Sequence, residues 1–191
     1  MSLEAAFLKN LDTDKIGQGR LPPVERWNPP YCGEIDMRIR RDGVWLYQGS
    51  PIGKARLVRL FSTVLKREGD DYFLVTPVEK MKITVEDAPF IAVGMAAKGE
   101  GRAQSLTFTT NVGDAATAGP DHGLRMEFAP QSEEPAPYIH IRRGLEARIA
   151  RAVYYDLVAL GTREIHDDQE MFGVWSGGVF FPFAPAADLA D

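Results

Sequence analysis

The side chains best suited to chemistry in this chain are arginines. Every charge between Lys54 and Arg67 is positive: Lys54, Arg56, Arg59, Lys66 and Arg67. Arg148 and Arg151 repeat the spacing of Arg56 and Arg59. Arg38, Arg40, His140 and Arg142 alternate with apolar residues, as on the polar face of a strand. A guanidinium presents a rigid fork of donors that matches phosphate or carboxylate. In a chain of net charge −5 this clustering predicts a local site for an anion. Cations in the first turn of a helix also oppose its macrodipole by ~0.3–1 kcal/mol each, which a bound anion would offset. The ligand-binding set predicted on this basis is Arg38, Arg40, Glu79, Arg142, Arg148 and Arg151. Tyr155 and Trp175 could supply an apolar or stacking wall. The competing reading pairs the arginines with Glu79, Glu86, Asp87 or Asp156 and places the aromatics in the core.

Other motifs carry less. Gly49-Ser50-Pro51-Ile52-Gly53-Lys54-Ala55 resembles a phosphate-binding loop. It is one residue short, and Ala55 stands where a magnesium-binding hydroxyl is required. It reads as a helix start, with Ser50 as cap and Pro51 in the first turn. His122, His140 and His166 lack metal-ligand spacing. His166-Asp167-Asp168 with Glu170 reads as a solvated turn, so no metal is expected. Ser176 lacks the first glycine of a nucleophile elbow and lies in a hairpin context. An enzyme would need Cys32, His140, Glu79 or Asp36 brought together as nucleophile and base, and no spacing requires that. No catalytic residue and no cofactor are assigned, beyond a nucleotide-like ligand.

The 191 residues are 45% hydrophobic and 26% charged, which suits a folded protein with a substantial core. The acidic balance disfavours bulk nucleic-acid binding. One cysteine rules out an internal disulfide. The N-terminal residues lack a secretory pattern, and the longest apolar run, Pro89 to Ala97, is far short of the ~20 residues that span a bilayer. The expectation is a cytoplasmic protein without membrane association.

The elements that must position these side chains follow from periodicity. Leu3, Phe7, Leu8 and Leu11 predict a lead-in helix. Gly17 to Pro30, with four prolines, predicts an extended segment anchored by Trp27. Glu34 to Arg40 alternates as a half-buried strand, and Asp42-Gly43 predicts a hairpin to Val44–Tyr47. A helix is expected from Ser50 to about Arg67, then strands at 72–76 and 80–85. Further strands are expected at 90–97, 105–110, 124–128 and 138–142, with loops at 111–123 and 129–137. A second helix is expected over 145–160, then a hairpin of 171–176 and 179–183 around Gly177-Gly178.

The chain also predicts an internal repeat. Ala55-Arg56-Leu57-Val58-Arg59 matches Ala147-Arg148-Ile149-Ala150-Arg151, Leu65 matches Leu157, and Ile39-Arg40-Arg41 matches Ile141-Arg142-Arg143. The fold class expected is therefore α+β, in two lobes of residues 1–84 and 85–191. Each is built from a strand–helix–hairpin unit with mostly antiparallel sheets, and the ligand site falls where the lobes meet.

Trp27-Asn28-Pro29-Pro30, Ile35 to Ile39 with Asp42-Gly43-Val44-Trp45, Leu57 to Phe61, Thr76-Pro77-Val78-Glu79, Val85 to Phe90, Thr110 to Asp114 and Gly144 to Arg148 come in one order. In that order they resemble the bacterial domain-of-unknown-function family 1285, from about Pro22 to Phe183. The resemblance implies a duplicated core, a superficially pleckstrin-homology-like C-terminal half, a nucleotide-like ligand between the halves and a role in signal transduction. It implies no catalytic residues. The functional expectation is a small-molecule binding or sensing protein; the alternatives are a protein-interaction module with a protein partner and, less favoured, an enzyme.

Overall fold

Alternating burial builds most of the chain into strands. Along β1 (Tyr31–Ile39), Met37 and Ile39 are buried while Asp36 and Arg38 face solvent. The structure is a computed structural model that describes residues 21–128 and 135–188. The chain divides into two compact units, Met1–Pro89 and Phe90–Asp191. The architecture is α+β and mostly β, with two helices among the described residues.

In the N-terminal unit β1 is followed by β2 (Trp45–Tyr47), β3 (Ser50–Pro51), α1 (Ala55–Thr63), β4 (Leu65–Glu68), β5 (Asp71–Val75) and β6 (Lys80–Val85). They form one six-stranded sheet of order β3-β2-β1-β6-β5-β4. The central pair, β1 and β6, is parallel, and the other neighbours are antiparallel. Trp45 of β2 stacks on Phe61 of α1 with ring centroids 6.4 Å apart, and both are buried.

The C-terminal unit begins with β7 (Phe90–Lys98), β8 (Ser105–Thr110), β9 (Ala115–Thr117), β10 (Leu124–Glu127), β11 (Ala136–Arg142) and β12 (Leu145–Ile149). Its sheet order is β10-β11-β12-β7-β8-β9, again with one parallel pair at the centre, β12 and β7. Read from the other edge, this is the order of the first sheet strand for strand. The chain continues through α2 (Arg151–Ala159) into a three-stranded antiparallel sheet of β13 (Thr162–His166), β14 (Gln169–Ser176) and β15 (Val179–Pro185). The expected hairpin over Gly177-Gly178 is β14–β15. Strands β9 and β13 were not expected from the sequence.

Several expectations change. Ser50-Pro51 is not a helix start; it pairs with β2, and the helix begins at Ala55 after Lys54. That helix stops at Thr63, because Leu65 to Glu68 pairs with β5 instead. The second helix is also shorter. Leu145, Ala147 and Ile149 are buried while Glu146 and Arg148 are half-buried, so 145–149 is a strand and the helix starts only at Arg151. The segment before β1 is held by buried Val24, in a single 3-10 turn, rather than by half-buried Trp27. The predicted lead-in helix lies outside the described residues.

These changes overturn the repeat register. Ala55–Arg59 is helix, whereas Ala147–Ile149 is strand. Ile39 closes the first strand of its sheet, whereas Ile141 lies in the fifth strand of its own. Arg40 and Arg142, Arg56 and Arg148, and Arg59 and Arg151 are not equivalent positions. What recurs is the strand order, with β1 to β6 corresponding to β7 to β12.

Candidate functional site

The predicted site residues fall in both units. Arg38 and Arg40 lie at the exposed end of β1. Arg38 comes 3.6 Å from Glu86, Arg40 2.8 Å from Asp42, and neighbouring Arg41 3.6 Å from Asp87. Glu86 is thus one of the carboxylates that the competing reading named. Glu79 closes the β5–β6 turn through its backbone, its N–H donating to the Thr76 hydroxyl at 3.1 Å. Lys66 and Arg67 stand on β4, not on the helix. Lys66 lies 3.0 Å from Glu68, which Lys80 also contacts at 2.8 Å. The hydrogen bonds from Lys80 and then Lys66 hold the Glu68 carboxyl below its ordinary range.

In the C-terminal unit the five predicted residues separate. The Arg142 guanidinium is largely buried, donates to Asp114 and lies 4.9 Å over the ring of Phe90. Trp175, on β14, donates its indole N–H to Glu164 at 3.0 Å, and Arg102 bonds the other Glu164 oxygen at 2.9 Å while lying 4.9 Å over the indole. Trp175 first, and then Arg102, lower the Glu164 carboxyl from its ordinary value. This closed cluster orders β13 against β14.

Arg148, Arg151 and Tyr155 belong to one stretch of chain, the junction of β12 and α2. Ala150 is extended, with φ −62° and ψ 148°, and caps α2 through its backbone. No side chain caps the first turn, and no acidic residue stands in it. Arg151, the first helical residue, donates from Nε to the Tyr155 hydroxyl at 3.0 Å. The pair sits one helical turn apart, at i,i+4. Arg148 lies on the half-exposed face of β12, in cross-strand register with Tyr138 and, through it, with Arg125. Arg125 lies 4.1 Å over the Tyr138 ring and grips Glu146 through two bonds of 2.7 and 2.9 Å. Glu146 first, and Glu127 after it, push the Arg125 guanidinium up. A row of arginine, tyrosine and arginine therefore crosses three strands beside the helix start.

The other candidates have structural occupations. His140 accepts the Gly144 N–H at Nε2, 3.1 Å, so its Nδ1 carries the proton donated to the Asp121 carbonyl at 2.9 Å. The buried Ser176 hydroxyl donates to the Ala118 carbonyl at 2.7 Å and accepts the Leu106 N–H at 2.9 Å. Cys32 is exposed and donates to the Pro30 carbonyl. Asp114, Arg102, Glu146 and Glu164 were missed in the sequence reading. Each meets its partner across strands or elements far apart in the chain, a proximity that no local spacing encodes.

A family model described as the N-terminal domain of DUF1285, a domain of unknown function, matches residues 22–88. A second, the C-terminal domain of DUF1285, matches residues 89–183. The chain is similar to the crystal structure of a DUF1285 family protein from Silicibacter pomeroyi DSS-3, with 55% identity and a TM-score of 0.83 over 88% of this chain and 90% of that one. It is also similar to a DUF1285 family protein from Shewanella baltica OS155, with 30% identity and a TM-score of 0.52 over 65% of this chain and 91% of that one. No curated protein matches.

Proposed function

The chain belongs to the DUF1285 family of bacterial proteins of unknown function, and on that premise we propose that it binds or senses a small anionic ligand, nucleotide-like or otherwise phosphorylated. The site proposed is the β12–α2 junction, with Arg148 and Arg151 as anion ligands and Tyr155 orienting Arg151. The observation that carries this reading is the start of α2: a helix N-terminus with no side-chain cap, no acid in its first turn, Arg151 as its first residue and Arg148 three residues earlier on β12. First-turn N–H groups and the positive end of the helix dipole attract anions. The Tyr155 hydroxyl restrains the Arg151 fork, which reduces the ordering that binding would require.

The reading extends to a cytoplasmic role in signal transduction and to a pleckstrin-homology-like character for the C-terminal unit. The second is supported by a mostly antiparallel sheet followed at once by a helix. No described helix is long and apolar enough to cross a membrane.

The test is a thermal-shift panel of nucleotides and phosphorylated metabolites at millimolar concentration. A ligand at 100 times its Kd should stabilise the protein by ~2.7 kcal/mol. Arg148→Ala combined with Arg151→Ala should remove the shift and leave the unliganded melting temperature close to wild type. A flat panel, or a shift that survives the double variant, would sink the proposal.

A further inference from the structure

The edge of the three-stranded sheet at β13 carries a pattern that is complementary to its own reverse. In the segment Arg163-Glu164-Ile165-His166-Asp167 the opposite charges of Arg163 and Asp167 lie at equal distances on either side of an apolar centre, with polar Glu164 and His166 between. β13 pairs with β14 on one side only, and its other side is an edge. Ile165 is 72% exposed there, the most exposed large hydrophobic side chain among the described residues. The opposite edge, β15, contains Pro182 and Pro185, which withhold N–H donors. β13 has no proline and is longer than the edge strands β3, β4, β9 and β10.

The hairpin geometry determines which backbone groups face outward. Asp167 and Asp168 both have positive φ, 50° and 62°, and link His166 to Gln169 in a two-residue turn. The pair that closes such a turn, His166 and Gln169, is hydrogen-bonded. Antiparallel ladders alternate, so Glu164 and His166 direct their N–H and C=O toward β14. Arg163 and Ile165 direct theirs to the open edge.

We propose that this edge pairs antiparallel with β13 of a second copy of the chain, on a two-fold axis through Ile165, to make one six-stranded sheet across the dimer. In that register Ile165 meets the second copy's Ile165 through outward-facing backbone groups. Arg163 then lies beside the second copy's turn residue Asp167, just past the end of its β13, and Glu164 lies opposite its His166, and the same pairs recur by symmetry. A register centred on Glu164 sets glutamate against glutamate, and one centred on Arg163 sets arginine against arginine. Only the Ile165 register among these three matches charges and apolar groups together. An edge strand open to pairing is a template for this kind of association.

The test is sedimentation equilibrium of the full chain over a range of concentrations, with circular dichroism and melting temperature to confirm folding. Wild type should reach twice the 21.2 kDa chain mass. Ile165→Lys, Arg163→Asp and Asp167→Arg should each remain monomeric, because each places like charges across the axis. Arginine is tolerated at such a turn: Arg143 holds φ 53° between β11 and β12. Arg163→Asp combined with Asp167→Arg restores opposite charges in the same register and should restore the dimer. A wild type that stays monomeric overturns the proposal. So does a dimer that persists in all three single variants, and so does a double variant that fails to recover.

Discussion

The two six-stranded sheets share a strand order yet cover their buried faces by different means. In the N-terminal unit the cover comes from within the sheet's own sequence, between its third and fourth strands. There α1 delivers Phe61 onto Trp45. In the C-terminal unit only a loop joins the third and fourth strands, and the cover comes after the sixth. α2 packs beside β7, and the third sheet is fastened to β8 by Ser176. The same six-strand frame thus tolerates its helix at two different points. Only the second placement puts a helix N-terminus directly after the strand that carries Arg148. The polar chemistry proposed for the chain follows from where the helix sits, not from the repeated frame.

The largest effect that sharpens this comparison is expected at the α1 cover. Phe61→Ala opens a cavity against Trp45 and should cost ~3–5 kcal/mol in urea unfolding followed by tryptophan fluorescence. A loss below ~1 kcal/mol would mean that α1 does not hold the first sheet's core. A smaller effect is expected where the third sheet is fastened. Ser176→Ala leaves the Leu106 N–H and the Ala118 C=O without their partner in a buried place and should cost ~1–3 kcal/mol. A neutral Ser176→Ala would remove the fastening from the account.

The smallest effect belongs to the polar face of the first sheet. Lys80 and Lys66 lower the Glu68 carboxyl, so its folded value lies below its unfolded one. The stability it contributes is fully present above the unfolded carboxylate value and disappears as pH falls through the lowered folded value. Glu68→Gln should therefore flatten the acid limb of the stability profile, within the ~0–1 kcal/mol of exposed pairs. An unchanged acid limb would place the pH dependence elsewhere.

Sequence periodicity reaches most of the strands, because alternation is local. Glu34 to Arg40 shows its buried face in Met37 and Ile39, and Ser105 to Thr110 is bounded as predicted. The errors are local as well. Leu65-Lys66-Arg67-Glu68 and Leu145-Glu146-Ala147-Arg148 consist largely of good helix formers next to true helices, so propensity extends the helix over them. Pairing with β5 and with β7 and β11 decides otherwise. The sheet order common to both units was not legible, since it depends on strand neighbours far apart in sequence. The match of Arg56 with Arg148 offers a duplication in the wrong register, yet it points to the two arginines at the β12–α2 junction. The partners of Arg142 and Trp175, Asp114 and Glu164, were hidden for the same reason as the sheet order.

The most direct measurement is a heteronuclear NMR titration with whichever phosphorylated ligand gives the largest thermal shift. It compares the two helix starts within one molecule. Both lack a side-chain cap and an acid in the first turn, and at α2 the Arg151 guanidinium is held by the Tyr155 hydroxyl. The account predicts saturable shifts of the backbone amides of Ala150 to Val153 and of the Arg148 and Arg151 guanidinium groups, with residues 55–58 unmoved. Saturable shifts centred on 55–58, or a titration that leaves Ala150 to Val153 in place, would contradict it.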